Sequence, residues 1–466
     1  MDELSRRFPL RIRRRPSGRQ PAADPLQLAT AALENLPTPS APPEAAGFGR
    51  TFRALRNRNY RLFYFGQTVS LSGTWMQTIA QAWLVLQLTN SKIALGTVTM
   101  LQFLPITIFV LFAGVIADRV PKRKFILVTQ TLAMSQAIAL TALVWSGQVQ
   151  LWHVYVLALV LGLANAFELP TRQAFVVEMV GKDDLLNAVA LNSGMFNAAR
   201  LMGPAVGGLV IATAGVKGAF LLNGVSFVPV IAALLMMNPA QFYVMNRRVA
   251  PRVNPLAELQ EGLAYAFRTP AVLLIVILVA IIGMFGYNFT VMLPLVDRFV
   301  LGQGAAGLGF LTAAVGLGAL TSALLLASRK AATRFTLFAG GAAFAALLGA
   351  VALSHWYYVT LLVLLCVGLA STAFGTTANT SLQLATPDHL RGRVMALYML
   401  LFAGSTPIGA FFTGFMAEHL GVPATVGIEA GLCGLGLGAG LLYYLSHRQQ
   451  VVATADAGAA AAGHAG

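Results

Sequence analysis

Residues 93–117 read IALGTVTMLQFLPITIFVLFAGVIA, without one ionisable side chain, and Asp118-Arg119-Val120-Pro121-Lys122-Arg123-Lys124 follows at once. A helix of about 20 apolar residues crosses the ~30 Å hydrocarbon layer of a bilayer, so the first stretch is long enough to span it. The apolar pattern resumes directly after the charges, in FILVTQTLAMSQAIALTALVW at 125–145. Two crossings joined by a short basic turn are therefore expected, built as helices because lipid offers backbone groups no other partner. Basic side chains resist translocation, which puts this turn on the cytoplasmic side.

The same pattern extends outward in both directions. Spans are expected at Leu62 to Leu88, Ile93 to Ala117, Phe125 to Trp145, Trp152 to Phe167, Leu186 to Ala212 and Phe220 to Met237. Six more follow at Val272 to Leu295, Gly307 to Ala327, Phe335 to Leu353, Tyr357 to Thr380, Val394 to Met416 and Val426 to Leu445. The expected fold class is an all-α integral membrane protein, with twelve transmembrane helices in two six-helix bundles. Apolar residues make up 57% of the chain and charged residues 11%, against roughly a quarter charged in a soluble domain.

A charge of +15 is compatible with nucleic-acid binding, but the basic residues lie between apolar runs instead of forming one water-facing surface. Nucleic acid is thus excluded as a partner, and the bilayer is the expected one. Alternate loops hold the basic groups: Arg119, Lys122, Arg123 and Lys124; Arg172 and Lys182; Arg247, Arg248, Arg252 and Arg268; Arg329, Lys330 and Arg334; Arg391 and Arg393. The opposite loops offer little beyond Lys92, Lys217 and Arg298. With an even number of spans, both termini are expected in the cytoplasm of a bacterium, the protein lying in its inner membrane.

Residues 1–50, Pro-rich and carrying Arg6, Arg7, Arg11, Arg13, Arg14, Arg15 and Arg19, are expected to be disordered and to lack a signal peptide. The first bundle then occupies 51–237, a cytoplasmic linker 238–270, the second bundle 271–446 and a disordered Ala/Gly-rich tail 447–466. Within the linker, Leu256, Leu259, Leu263 and Phe267 recur at helical spacing beside Glu258 and Glu261, the pattern of an amphipathic helix. The halves also resemble each other. Asp183, Leu185 and Val189 precede a span with Gly203, Pro204 and Gly207 that closes at Gly215; Asp388, Leu390 and Val394 precede one with Pro407 and Gly409 that closes at Gly421. Such a repeat is what two bundles related along the membrane normal would leave in a sequence.

The turn Gly114-x-x-x-Asp118-Arg119-x-Pro121-Lys122-Arg123 resembles the loop signature of the major facilitator superfamily, with Pro121 where the family carries Gly. By resemblance, Gly114, Asp118, Arg119, Lys122 and Arg123 form a gating loop that latches the halves on the cytoplasmic side. Gly114 could permit close helix approach, and Asp118 could meet a cation or a helix N-terminus. Gly203-Pro204-Ala-Val-Gly207-Gly208 in the fifth span resembles the signature of family members that exchange substrate for protons. Here Pro204 removes a backbone bond and is expected to kink the helix, while Gly203 and Gly207 admit a close neighbour. Asn165, Glu168, Pro170, Arg172 and Gln173, followed by Asn187, Asn192 and Ser193, resemble the exporter branch that includes bacterial siderophore exporters such as the enterobactin exporter. The likeness runs from Phe52 to about Leu445.

An ionisable group inside a span costs at least ~2.5 kcal/mol on insertion scales and so marks a candidate site. Arg200 lies well into the fifth span, with no acid at matching depth in the neighbouring sequence. It could attract an anionic or strongly polar substrate, or be bound by helix carbonyls. Glu168 and Arg172 are four apart, which fits a local ion pair or a carboxyl that exchanges a proton as access switches. Gln77 and Gln81 share a face of the first span, beside Thr74 and Thr78. Tyr287, Asn288 and Thr290 interrupt the seventh span, and Thr376, Thr377, Asn379 and Thr380 the tenth. Each could line a cavity or bond helix to helix. Trp75 and Trp83 could stack on a ligand or simply face lipid.

Cys366 and Cys433 lie in spans without metal-ligand neighbours and are expected to pack as small hydrophobes. No phosphate-cradling, zinc-protease or nucleophile-elbow motif occurs, so no enzyme activity, metal or cofactor is expected, and a proton gradient is the expected energy source. The functional expectation is a secondary active transporter, working as a monomer, that exports a small amphipathic drug-like or siderophore molecule by alternating access. Uptake or lipid movement by the same fold, or a non-transporting scaffold or sensor, are the alternatives.

Overall fold

The computed structural model describes residues 52–243, 255–327 and 333–449, and these are helical with no strand among them. The basic segment at 1–50, most of the tail and residues 244–254 of the linker lie outside the described residues.

A short turn at Arg53–Arg56 precedes α1 (Arg58–Thr89), which starts where the Asn57 side chain accepts from Tyr60 N. The chain continues through α2 (Lys92–Arg119), capped by Ser91, then α3 (Lys122–Trp145) and α4 (Leu151–Val180). Next comes α5 (Leu185–Met236), continuous except at Gly215, whose φ of 72° and ψ of 176° break it into two arms. The linker contributes α6 (Pro255–Arg268). The second half holds α7 (Pro270–Gly286) and α8 (Phe289–Val296), α9 (Gly304–Ala327), α10 (Arg334–Leu353), α11 (Tyr357–Leu384), α12 (Asp388–Phe402) and α13 (Thr406–Leu420), and α14 (Val422–Ser446). Gly421, with φ 83° and ψ 161°, divides α13 from α14 as Gly215 divides the arms of α5.

Ten helices among the described residues are long and apolar enough to cross a membrane. The difference from twelve has two sources. The fifth and sixth expected spans run together as α5, and α1 is not counted because Gln67, Ser70, Thr74, Gln77 and Gln81 lower its hydropathy. Two expected spans are themselves interrupted, the seventh at Tyr287 and Asn288, the eleventh at 403–405. Pro204 lies within α5, whose one non-helical residue is Gly215, eleven residues later.

Small residues set the packing, as they must where lipid supplies no hydrophobic drive between helices. A Cβ on Gly66 would stand 2.8 Å from Val230 Cα, which fixes α1 against the second arm of α5. Gly162 lies under the carbonyl of Gln102, bringing α4 to α2; Gly318 and Gly368 do the same for α9 and α11. Two seams join the halves. In one, α5 meets α9 through Gly208 and Gly309; in the other, α2 meets α13 through Gly96 and Gly414. Both lie towards the ends of the helices near Gly215, Gly302 and Gly421, so the halves close together at one end.

Candidate functional site

Between the helices of the first half lies a cavity of about 270 Å³ lined by polar groups of α1, α2, α3 and α4. Glu168, only 7% exposed, forms its charged wall. Gln130 Nε2 donates to Glu168 Oε1 at 2.9 Å and lies 3.3 Å from Gln67 Oε1, while Ser70 Oγ donates to Gln130 Oε1 at 3.3 Å. Arg172 Nη1 approaches the same carboxylate oxygen at 3.7 Å. The pair at i and i+4 is therefore a contact, but one long enough for amide donors to share its stabilisation. Gln81 faces the same space: its Nε2 donates to Gln102 Oε1 at 2.8 Å and its own Oε1 has no partner. Asn165 also lines the wall.

A smaller cavity of about 140 Å³ adjoins the first, sharing Trp75, Thr78, Ala82 and Thr290. It holds Arg200 of α5 and Tyr287 of the second half. Among the described residues no carboxylate pairs with Arg200. Tyr287 donates from its hydroxyl to Ser371 O at 2.5 Å and packs 4.8 Å from Phe402, which holds the broken seventh span in place. Trp75 meets Phe196 edge-on at 5.8 Å, so the aromatic wall between the cavities is fixed. The structure thus brings Glu168, Arg172 and Gln81 to one cavity and Arg200 to a second that adjoins it along Trp75, Thr78, Ala82 and Thr290.

Other candidates lie elsewhere. Gln77 is buried in packing: its Nε2 donates to Gln136 Oε1 at 2.9 Å, and Asn223 Nδ2 donates to Gln77 Oε1 at 2.6 Å. Asn288 caps the helix break, its Nδ2 donating to Met284 O at 2.7 Å under Gly409. Asn379 accepts from Gln383 Nε2 at 2.6 Å and lines neither cavity. Trp83 also lies outside both, under the guanidinium of Arg298.

The two sequence signatures are structural in different ways. Gly203 and Gly207 face α1, where a Cβ would stand 2.6 Å from Trp75 Cβ and 2.9 Å from Met76 Cγ, while Gly208 faces α9. That motif therefore sets the aromatic wall and one seam together. In the basic turn, Lys122 is 7% exposed and its Nζ lies 2.7 Å from Glu178 Oε1. Arg123 donates to Leu234 O at 2.6 Å and Leu235 O at 3.0 Å, closing the C-terminus of α5. Arg119 is exposed, and the side chain of Asp118 lies outside what is described. Among the described residues nothing lies within 4 Å of where a Cβ on Gly114 would sit.

Sequence reasoning passed over Gln67, Ser70, Gln102 and Gln130. Their signal was available for α1, where Gln67 and Ser70 continue the 3–4 spacing of Thr74, Gln77 and Gln81. It also passed over two acids of the second half. Glu429, 1% exposed in α14, meets Thr413 of α13; Asp297, fully buried, follows α8.

The model of the transmembrane secretion effector family matches residues 50–461. The chain belongs to this family of major facilitator transporters. It is a multi-pass membrane transporter and not an enzyme. It is similar to the staphyloferrin A transporter of Staphylococcus aureus, 23% identical over 79% of this chain and 92% of that one. It is likewise similar to the multidrug efflux pump Tap of Mycolicibacterium fortuitum, 27% identical over 78% and 90% of the two chains. The enterobactin exporter of Escherichia coli is 25% identical over 81% of this chain and 89% of its own. Among solved structures, the nucleoside transporter NupG superposes with a TM-score of 0.65 at 12% identity, over 83% of this transporter and 99% of that chain. At such identity the likeness speaks to the fold.

Proposed function

We propose that this transporter exports a small amphipathic molecule, a drug-like compound or a siderophore, in exchange for protons by alternating access. It crosses the inner membrane twelve times, counting α1 and both arms of α5, with both termini and the basic turns in the cytoplasm. The observation that carries this reading is the pair of adjoining cavities, one walled by a buried carboxylate and the other holding an arginine with no carboxylate partner among the described residues. Glu168 is the proton carrier in this reading. Its partners are one neutral side chain, Gln130, and one distant cation, Arg172, a set that tolerates both charge states. Arg200 attracts the anionic or polar part of the substrate, and Trp75, Phe196 and Phe289 take its apolar part. Relatives described as a siderophore transporter and exporter and as a multidrug pump favour that cargo.

Transport into vesicles tests it. In inside-out vesicles with an acidic interior, a panel of amphipathic dyes and iron-free siderophores should include one that accumulates and releases protons as it does so. Accumulation only in right-side-out vesicles would mean uptake. Movement of no compound, together with a partner protein retained by the cytoplasmic loops, would mean a scaffold or sensor.

A further inference from the structure

The end at which the halves meet is held by more than glycine packing. Glu418, in the last turn of α13, accepts from Lys92 N at 2.7 Å and from Ile93 N at 3.3 Å. These are the first amides of α2, donors that their own helix cannot satisfy. Ser91 takes the following one, Ala94 N, at 3.3 Å. The start of one half's helix is therefore completed by a side chain of the other half, and the carboxylate also meets the positive end of the helix dipole.

Two further contacts cross at the same end. The Lys92 ammonium of the first half lies 4.6 Å over the ring of Phe299 of the second. The Arg298 guanidinium of the second half lies 5.7 Å from the ring of Trp83 of the first. Both basic residues thus lean on the opposite bundle, as cations do on aromatic faces. The arrangement is one-sided. Gly414 follows Gly208 by 206 residues, and the position 206 before Glu418 is Ala212, so the α5–α9 seam has no counterpart carboxylate.

We propose that Glu418 is a positioning residue for transport, a clasp that keeps this end of the path shut by capping α2 from across the seam. The proposal rests on the alternating-access reading. A surface contact of this kind suits a gate, because both the amides and the carboxylate regain water when the halves part, which leaves the contact a bias and not a lock.

Spin-label distances in the full-length protein in lipid nanodiscs test it, with Cys366 and Cys433 replaced by Ala. One pair, Gln148→Cys with His355→Cys, reports the clasped end. The other, Lys182→Cys with Leu384→Cys, reports the opposite end. Glu418→Ala should shift the first pair to longer distances and the second to shorter ones. Glu418→Gln, whose amide oxygen still accepts, should stay nearer the wild type. A Gly414→Trp wedge against Gly96 opens the same end by force. If the wedge moves the two pairs in opposite senses while Glu418→Ala moves neither, the clasp is overturned and alternating access stands. If neither variant moves them in opposite senses, both ideas fail.

Discussion

Gly208 of α5 and Gly309 of α9 face each other so closely that a Cβ on either would stand 3.0 Å from the Cα of the other. The obstruction is backbone, so no rotamer relieves it. Gly96 and Gly414 repeat the relationship at the second seam, with a Cβ on Gly414 3.0 Å from Gly96 Cα. The sequence repeat and the two seams thus describe one symmetry.

Gly208→Val should push the seam apart. Overpacking of this kind costs roughly 1–3 kcal/mol, borne only by the state in which the seam is closed. That amounts to about a five- to hundredfold shift towards the state open at this end. Thiol reagents added from that side should label a cysteine at Thr78, on the cavity wall, faster in the variant. Unchanged labelling would mean that the seam does not govern access.

Glu168→Gln keeps the shape of the Gln130 contact and removes the exchangeable charge. Substrate binding should survive, while accumulation driven by a pH gradient should fall to the level set by the substrate gradient alone. Transport at the wild-type rate with an unaltered response to pH would remove Glu168 from coupling.

Arg200→Ala should weaken handling of anionic compounds far more than of neutral ones of similar size. A charge-assisted contact contributes about 1.5–3 kcal/mol, or roughly ten- to hundredfold in apparent affinity. Competition measured across a matched anionic and neutral pair checks it. Equal loss for both would assign Arg200 to packing, with its charge taken up by helix carbonyls.

How much of this could be read in advance follows from the range of the interactions. Glu168 and Arg172 are four apart on one helix, and Gly203, Pro204, Gly207 and Gly208 are adjacent, so their roles are carried by local pattern. The partner of Glu168 is Gln130, 38 residues away on another helix, and no spacing rule links them. Gln77 and Gln81 read alike in sequence, yet one turn of helix sends the first into packing and the second into the cavity. The surroundings of Gly114 are not legible for a different reason: which end of the path is shut is a property of a conformational state, and a glycine in a loop motif does not encode it.

The last prediction separates that pair of glutamines. Asn223→Ala would leave Gln77 Oε1 buried without its 2.6 Å donor, and an unsatisfied buried acceptor costs about 1–3 kcal/mol. Gln81→Ala removes the 2.8 Å donor of Gln102 Oε1, but Gln102 lines the cavity, where water can replace it, and Gln81 Oε1 has no partner to lose. Asn223→Ala should therefore lower the melting temperature in detergent or nanodiscs with the apparent KM unchanged. Gln81→Ala should change KM, or the order of preference among substrates, with the melting temperature unchanged. Should Asn223→Ala alter selectivity at constant stability, the Gln77 cluster belongs to the binding site after all, and the division of α1 into a packing face and a cavity face is wrong.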